Sequence, residues 1–174
     1  MVKRLTILIF FTLIITLINK SQAQVDDSQL KSVLIERFSR FMEWPENMID
    51  SVFVIEVLDN KEMYEIIKKT YANRKINNLP VQVTLLSSQK EYDHPMCHVL
   101  YVGNCYRENS TSIIEIYQQS GALVLGHEDR CLENGVTLAF ISDGKKVVFG
   151  YDELALKRNK VSISYKLLQL AKNQ

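Results

Sequence analysis

Hydrophobic positions along this chain follow two periods in turn. Leu30, Val33, Leu34, Phe38, Phe41 and Met42 recur at helical spacing, while Glu36, Arg37, Ser39 and Arg40 mostly avoid that stripe. The spacing predicts a first helix that starts near Asp27 or Ser28, either of which can cap it. Pro45 turns Trp44 away from αR and predicts where the helix stops. Val52 to Leu58 is nearly all apolar, the pattern of a strand buried on both faces of a parallel sheet. Asp59-Asn60 turns the chain, and a helix follows over 62–71 with Met63, Ile66 and Ile67 inward. Strands are predicted over 79–86, 97–102 and 122–125, with a helix over 112–119 between the last two.

The pattern then changes. Residues 135–141 and 146–149 are apolar runs separated by Ser-Asp-Gly-Lys, a hairpin signal with Gly144 available for a positive φ. A helical turn over 151–156 and a last helix over 162–171 complete the chain. Strand and helix alternate through the first two thirds, so the sheet should be mostly parallel there. The expected fold is one α/β domain of Rossmann/flavodoxin-like type. Its strands should lie in the order 2-1-3-4-5, with helices on both faces and an antiparallel hairpin at the C-terminal edge. No Pro/Gly/Ser linker or repeat divides it.

Residues 1–23 stand apart. Lys3 and Arg4 precede an uncharged run of 14 residues, Leu5 to Ile18, and Ser21-Gln22-Ala23 supplies small residues for cleavage. That is the order of a secretory signal, and the run is short of the about 20 residues a membrane span needs. The mature chain, residues 24–174, would carry 18 basic and 20 acidic residues, well interspersed. Such a balance points to neither nucleic acid nor an anionic membrane as a partner.

His94-Pro-Met-Cys97-His98, with His127 and Cys131, has the residue types of a metal site. However, Cys97 and His98 are consecutive on a strand and should face opposite ways, and zinc needs about four converging ligands. No metal and no cofactor are expected. The same geometry prevents Cys97 and His98 from acting as a thiol–imidazole dyad. The chain holds no G-x-S-x-G elbow and no phosphate-cradling glycine loop. No catalytic residues are assigned, and the protein is not expected to be an enzyme.

Export would permit a disulfide among Cys97, Cys105 and Cys131. A strand over 97–102 advances about 3.3 Å per residue, which carries Cys105 out of the roughly 7 Å reach of Cys97. Cys105 and Cys131 both follow the carboxyl ends of neighbouring strands, so that pairing is favoured; three reduced, buried thiols are the alternative. The same sheet edge is where open α/β sheets hold ligands. Asp59, Asn60, Asn104, Tyr106, Arg107, His127, Glu128, Asp129 and Arg130 would line it, either as a rim for a small polar molecule or as solvated loop tips. His127 there would change charge near pH 6.5. Phe41 and Trp44 are either core or, where left exposed, a contact for a partner.

Three tracts carry a family resemblance. The first is Phe38-x-x-Phe41-x-Glu43-Trp44-Pro45. The second is Cys97-His98 opening the apolar strand Val99-Leu100-Tyr101-Val102. The third runs from Asn134-Gly135 through Phe140 and Phe149 to Ile163-Ser164-Tyr165-Lys166-Leu167. In order and spacing the mature chain resembles the YfiR family of periplasmic regulators. The resemblance implies an exported binding protein without catalysis. It would hold the periplasmic part of a membrane-bound signalling protein inactive, a diguanylate cyclase or sensor kinase, and would form a homodimer. Some relatives pair the Cys-His cysteine with one in the first strand, but Val52 to Leu58 has none. An alternative function is a periplasmic module presenting a small molecule to a membrane receptor.

Overall fold

The computed structural model describes residues 27–48, 51–86, 96–142 and 146–172. The expected signal segment 1–23, His94 and the turn at Gly144 lie outside those residues. The first helix, α1, is described over 27–39, and the chain leaves it through the two-residue strand β1 (Met42–Glu43). There follow β2 (Phe53–Leu58), α2 (Lys61–Tyr71), β3 (Lys75–Ile76), β4 (Leu79–Leu86), β5 (Val99–Val102), α3 (Ser110–Ser120) and β6 (Leu123–Gly126). After a 3-10 turn (Asp129–Asn134) come β7 (Leu138–Ser142), β8 (Val147–Tyr151), α4 (Glu153–Arg158), β9 (Ser162–Ile163) and α5 (Tyr165–Leu168).

The main sheet has the order β3-β4-β2-β5-β6-β7-β8. Strands β4, β2, β5, β6 and β7 run parallel, in the order the sequence predicts for them. Both edges are antiparallel: β8 against β7, and β3 against β4. Alternation along the strands divides the core into two layers. Ile55, Tyr101, Leu125 and Phe140 pack with α1, α2 and α5 on one face. Leu58, Leu100, Val124 and Ala139 pack with α3 and the 3-10 turn on the other. Phe38 links α1 to the sheet, its ring 5.7 Å from that of Phe140 and 4.9 Å from that of Phe149.

Several expectations are corrected. The last helix does not span 162–171. Ser162 and Ile163 pair instead with Met42 and Glu43, and the Ser164 amide donates to the Phe41 carbonyl, which leaves one helical turn. The same pairing ends α1 at residue 39, before Pro45 can act. The buried face of α1 is also rotated from the predicted stripe. Lys31, Ser32, Ile35, Phe38 and Ser39 are buried, whereas Leu30 is 42% exposed. Polar contacts lie on the buried face: Ser32 Oγ lies 2.9 Å from Thr70 Oγ1, and the Tyr71 hydroxyl donates to the Ser32 carbonyl at 2.7 Å. A hydrogen-bonded seam joins α1 to α2 where the pattern alone suggests an oily one. Asn77 and Asn78 both take positive φ and close a two-residue turn between β3 and β4, a signal of the I′ type that the Asn-Asn dipeptide already carries.

Candidate functional site

Three places concentrate chemistry: the carboxyl edge of the sheet, the amino edge near Trp44, and a groove beside β8. At the carboxyl edge the expected rim does not converge. Arg107 Nη1 donates to both oxygens of Asp59, at 2.8 and 2.9 Å. Asn104 Oδ1 accepts from the Tyr106 amide at 3.0 Å. Arg130 lies over the Tyr106 ring and beside Glu128. The loops after β2 and β5 touch: a methyl group on Gly103 would stand 2.3 Å from Asn60 Cβ. The switch point between these strands, where α/β sheets usually open for a ligand, is closed by backbone. Cys105 and Cys131 are bridged beneath this edge with Cα atoms 5.4 Å apart, and Cys97 is free and buried.

A polar crevice of about 330 Å³ survives on the α1 side, lined by Asp27, Ser28, Lys31, Asn60, Glu62, Met63 and His127. Lys31 is only 7% exposed, and its ammonium donates to the His127 carbonyl at 3.1 Å. Burial lowers the Lys31 pKa, partly offset by Asp27 and Glu128. His127 Nδ1 lies 2.6 Å from the Tyr101 hydroxyl. Burial, and then the Lys31 charge, lower the His127 pKa to about 4. His127 is thus half-buried, and its charge change is shifted below the pH 6.5 of a free imidazole. Of the predicted rim only Asn60 and His127 reach this crevice. Lys31, Glu62 and Tyr101 escaped the sequence reading. The signal for Lys31 was its place four residues before Ile35 on the face that is buried.

The sign of the pH effect follows from the depressed value. The unfolded chain takes up a proton at His127 near pH 6.5, whereas the folded chain resists until about pH 4. The unfolded state binds more protons in that window, so stability falls as pH drops from about 6.5 to 4. Allowing for the partial exposure of His127, about 2 kcal/mol should be lost. Urea unfolding at pH 7 and pH 4.5 should show this loss in the wild type and less of it in His127→Gln. Equal losses in both would refute the assignment.

At the amino edge, Trp44 is not an exposed anchor. Its ring meets Phe53 at 5.8 Å and His98 at 5.3 Å, and its Nε1 is buried without a hydrogen-bond partner among the described residues. His98 stacks on Phe53 at 4.4 Å, and its Nδ1 accepts from the Val54 amide at 3.1 Å. Pro45 faces Gly121, where a methyl group would stand 2.7 Å from its Cγ. Cys97 packs on the α3 side, where burial and Glu56 raise its thiol pKa well above the usual range. Thus the Trp-Pro tract and the Cys-His tract, far apart in sequence, meet in space as packing. Phe41 is different. It is half-buried and lines a groove of about 590 Å³ with Leu34, Val148, Leu170 and others.

These features define an α/β domain that offers surfaces for binding. Among the described residues no group of three or more His, Cys, Asp or Glu side chains is placed to hold a metal ion. No described helix is long and apolar enough to cross a membrane. The chain belongs to the YfiR/HmsC-like family, whose model matches residues 28–172. That family is known as periplasmic regulators of diguanylate cyclase signalling and is regulatory rather than catalytic. Comparison with curated proteins found no match.

Proposed function

We propose that this protein is an exported, non-catalytic regulator that binds the periplasmic part of a membrane signalling protein and holds it inactive. The partner would be of the diguanylate cyclase or sensor kinase type. The family match across residues 28–172 carries this reading. It is supported by the closed switch point, which leaves little room for a substrate between β2 and β5. The mechanism is differential binding: the regulator grips the inactive state of its partner, and a stimulus that weakens the grip releases it. Deleting the gene in its native host should raise cyclic di-GMP or kinase output. Supplying residues 24–174 to the periplasm should restore the low level. An unchanged output, or turnover of a substrate by the purified protein, would count decisively against this proposal.

A second reading is a module that presents a small polar molecule to a receptor. The crevice around Lys31 and Glu62 favours it. Thermal stabilisation of the purified chain by a polar metabolite, abolished in Glu62→Ala, would support that reading over the first.

A further inference from the structure

The first helix carries more apolar surface than the fold covers. Its buried face runs through Ile35 and Phe38, so Leu34 and Phe41 fall to one side and stay half-buried. They meet Val147 and Val148 of the edge strand β8, and Leu167 and Leu170, in the groove of about 590 Å³. Leu170 stands at its lip with 66% of its surface exposed. Arg37 and Arg40 line the rim; Arg40 is paired with Glu36, whereas Arg37 has no ion-pair partner among the described residues. Lys166 and Lys172, both exposed, flank Leu167 and Leu170 in the chain.

Resting on the reading of this protein as a binding regulator, we propose that the groove docks a segment of the partner protein that bears large apolar side chains flanked by Asp or Glu. The apolar side chains fill the space between α1 and β8, and a carboxylate pairs with Arg37. Charge selects this occupant over two others. A second copy of the chain would bring the same arginines and lysines face to face, which opposes association. A bilayer is gripped by a protruding apolar face, whereas this surface is a cleft between two elements. Helix-in-groove and strand-on-edge recognition both place apolar side chains in such clefts.

The test uses the mature chain, residues 24–174, and a random twelve-residue peptide display library as the probe. Selected peptides should pair large apolar residues with an excess of Asp and Glu. Synthetic versions should bind at least tenfold more weakly to Leu170→Asp and to Arg37→Glu. Changing the acidic residue of a selected peptide to Lys should restore binding to Arg37→Glu. Selected peptides without acidic bias, or with equal affinity for Leu170→Asp, would overturn the proposal. So would binding to phosphatidylglycerol vesicles that Leu170→Asp abolishes, or a self-crosslink through position 170. A photo-crosslinking residue placed at 170 or, on α3, at 116 separates this proposal from the functional reading. An adduct with an inner-membrane protein from 116 but not from 170 would sink the groove and spare the regulator. No such adduct from either position, with output unchanged on deletion, would sink both.

Discussion

Replacing His98 with alanine should lower the unfolding free energy by about 3–4 kcal/mol, one of the largest effects expected from a single site in this protein. Two losses combine. The Val54 amide would lose the Nδ1 acceptor that meets it at 3.1 Å, and that amide lies at the start of a central strand. The imidazole also fills the space between Phe53 and Trp44, and its removal would leave a cavity against both rings. For a domain of this size, the melting temperature should drop by roughly 10 °C. His98→Asn offers an oxygen near the place of Nδ1 without the ring, so it should recover about 1 kcal/mol of the hydrogen-bond loss and leave the cavity unfilled. Urea unfolding of the three proteins at pH 7 checks the ranking. An alanine variant as stable as the wild type would mean that the Cys-His tract has a task other than packing.

Reduction of the Cys105–Cys131 bridge should cost about 3–4 kcal/mol, because the bond closes a loop with a sequence separation of 26 and restricts the unfolded chain accordingly. The double variant Cys105→Ser/Cys131→Ser should show the same loss without reductant, and added reductant should then change nothing. The bridge also joins the loop after β5 to the 3-10 turn after β6, so its loss should loosen the carboxyl edge before the rest of the sheet. A thiol count gives an independent check. The denatured, unreduced chain should expose one thiol, Cys97, and the reduced chain three. Three thiols in the unreduced protein, isolated from its native compartment, would overturn the pairing.

Much of the architecture is legible in the residues because burial on both faces leaves so plain a mark. Val52 to Leu58 and Ala122 to Leu125 read as parallel strands because nearly every position in them is apolar. Their neighbours in the sheet follow from the short helices between them. The carboxyl-edge placement of Cys105 and Cys131 followed in the same way, from strand ends alone. Other features were hidden. Trp44 and His98 are separated by most of the first half of the domain, and nothing local says that their rings touch. The charged loop residues could be read from strand ends either as a ligand rim or as solvated loop tips. In three dimensions Asp59 turned to Arg107 and Arg130 turned to Glu128, each satisfied by the nearest opposite charge. The C-terminal helix failed because Ser162 and Ile163 gained a strand partner in Met42 and Glu43, a contact that helical periodicity cannot anticipate.

By itself the sequence determined the number of layers and the order of the parallel strands, because each depends on hydrophobic period and on short-range turn chemistry. The tertiary structure alone decided which face of α1 is buried and how far His127 sinks. It also decided whether the sheet edge stays open and which apolar side chains are left uncovered beside β8. Those outcomes depend on which distant elements compete for the same surface. The hydrogen-bonded seam between α1 and α2 is one such contact, made by residues far apart in the chain.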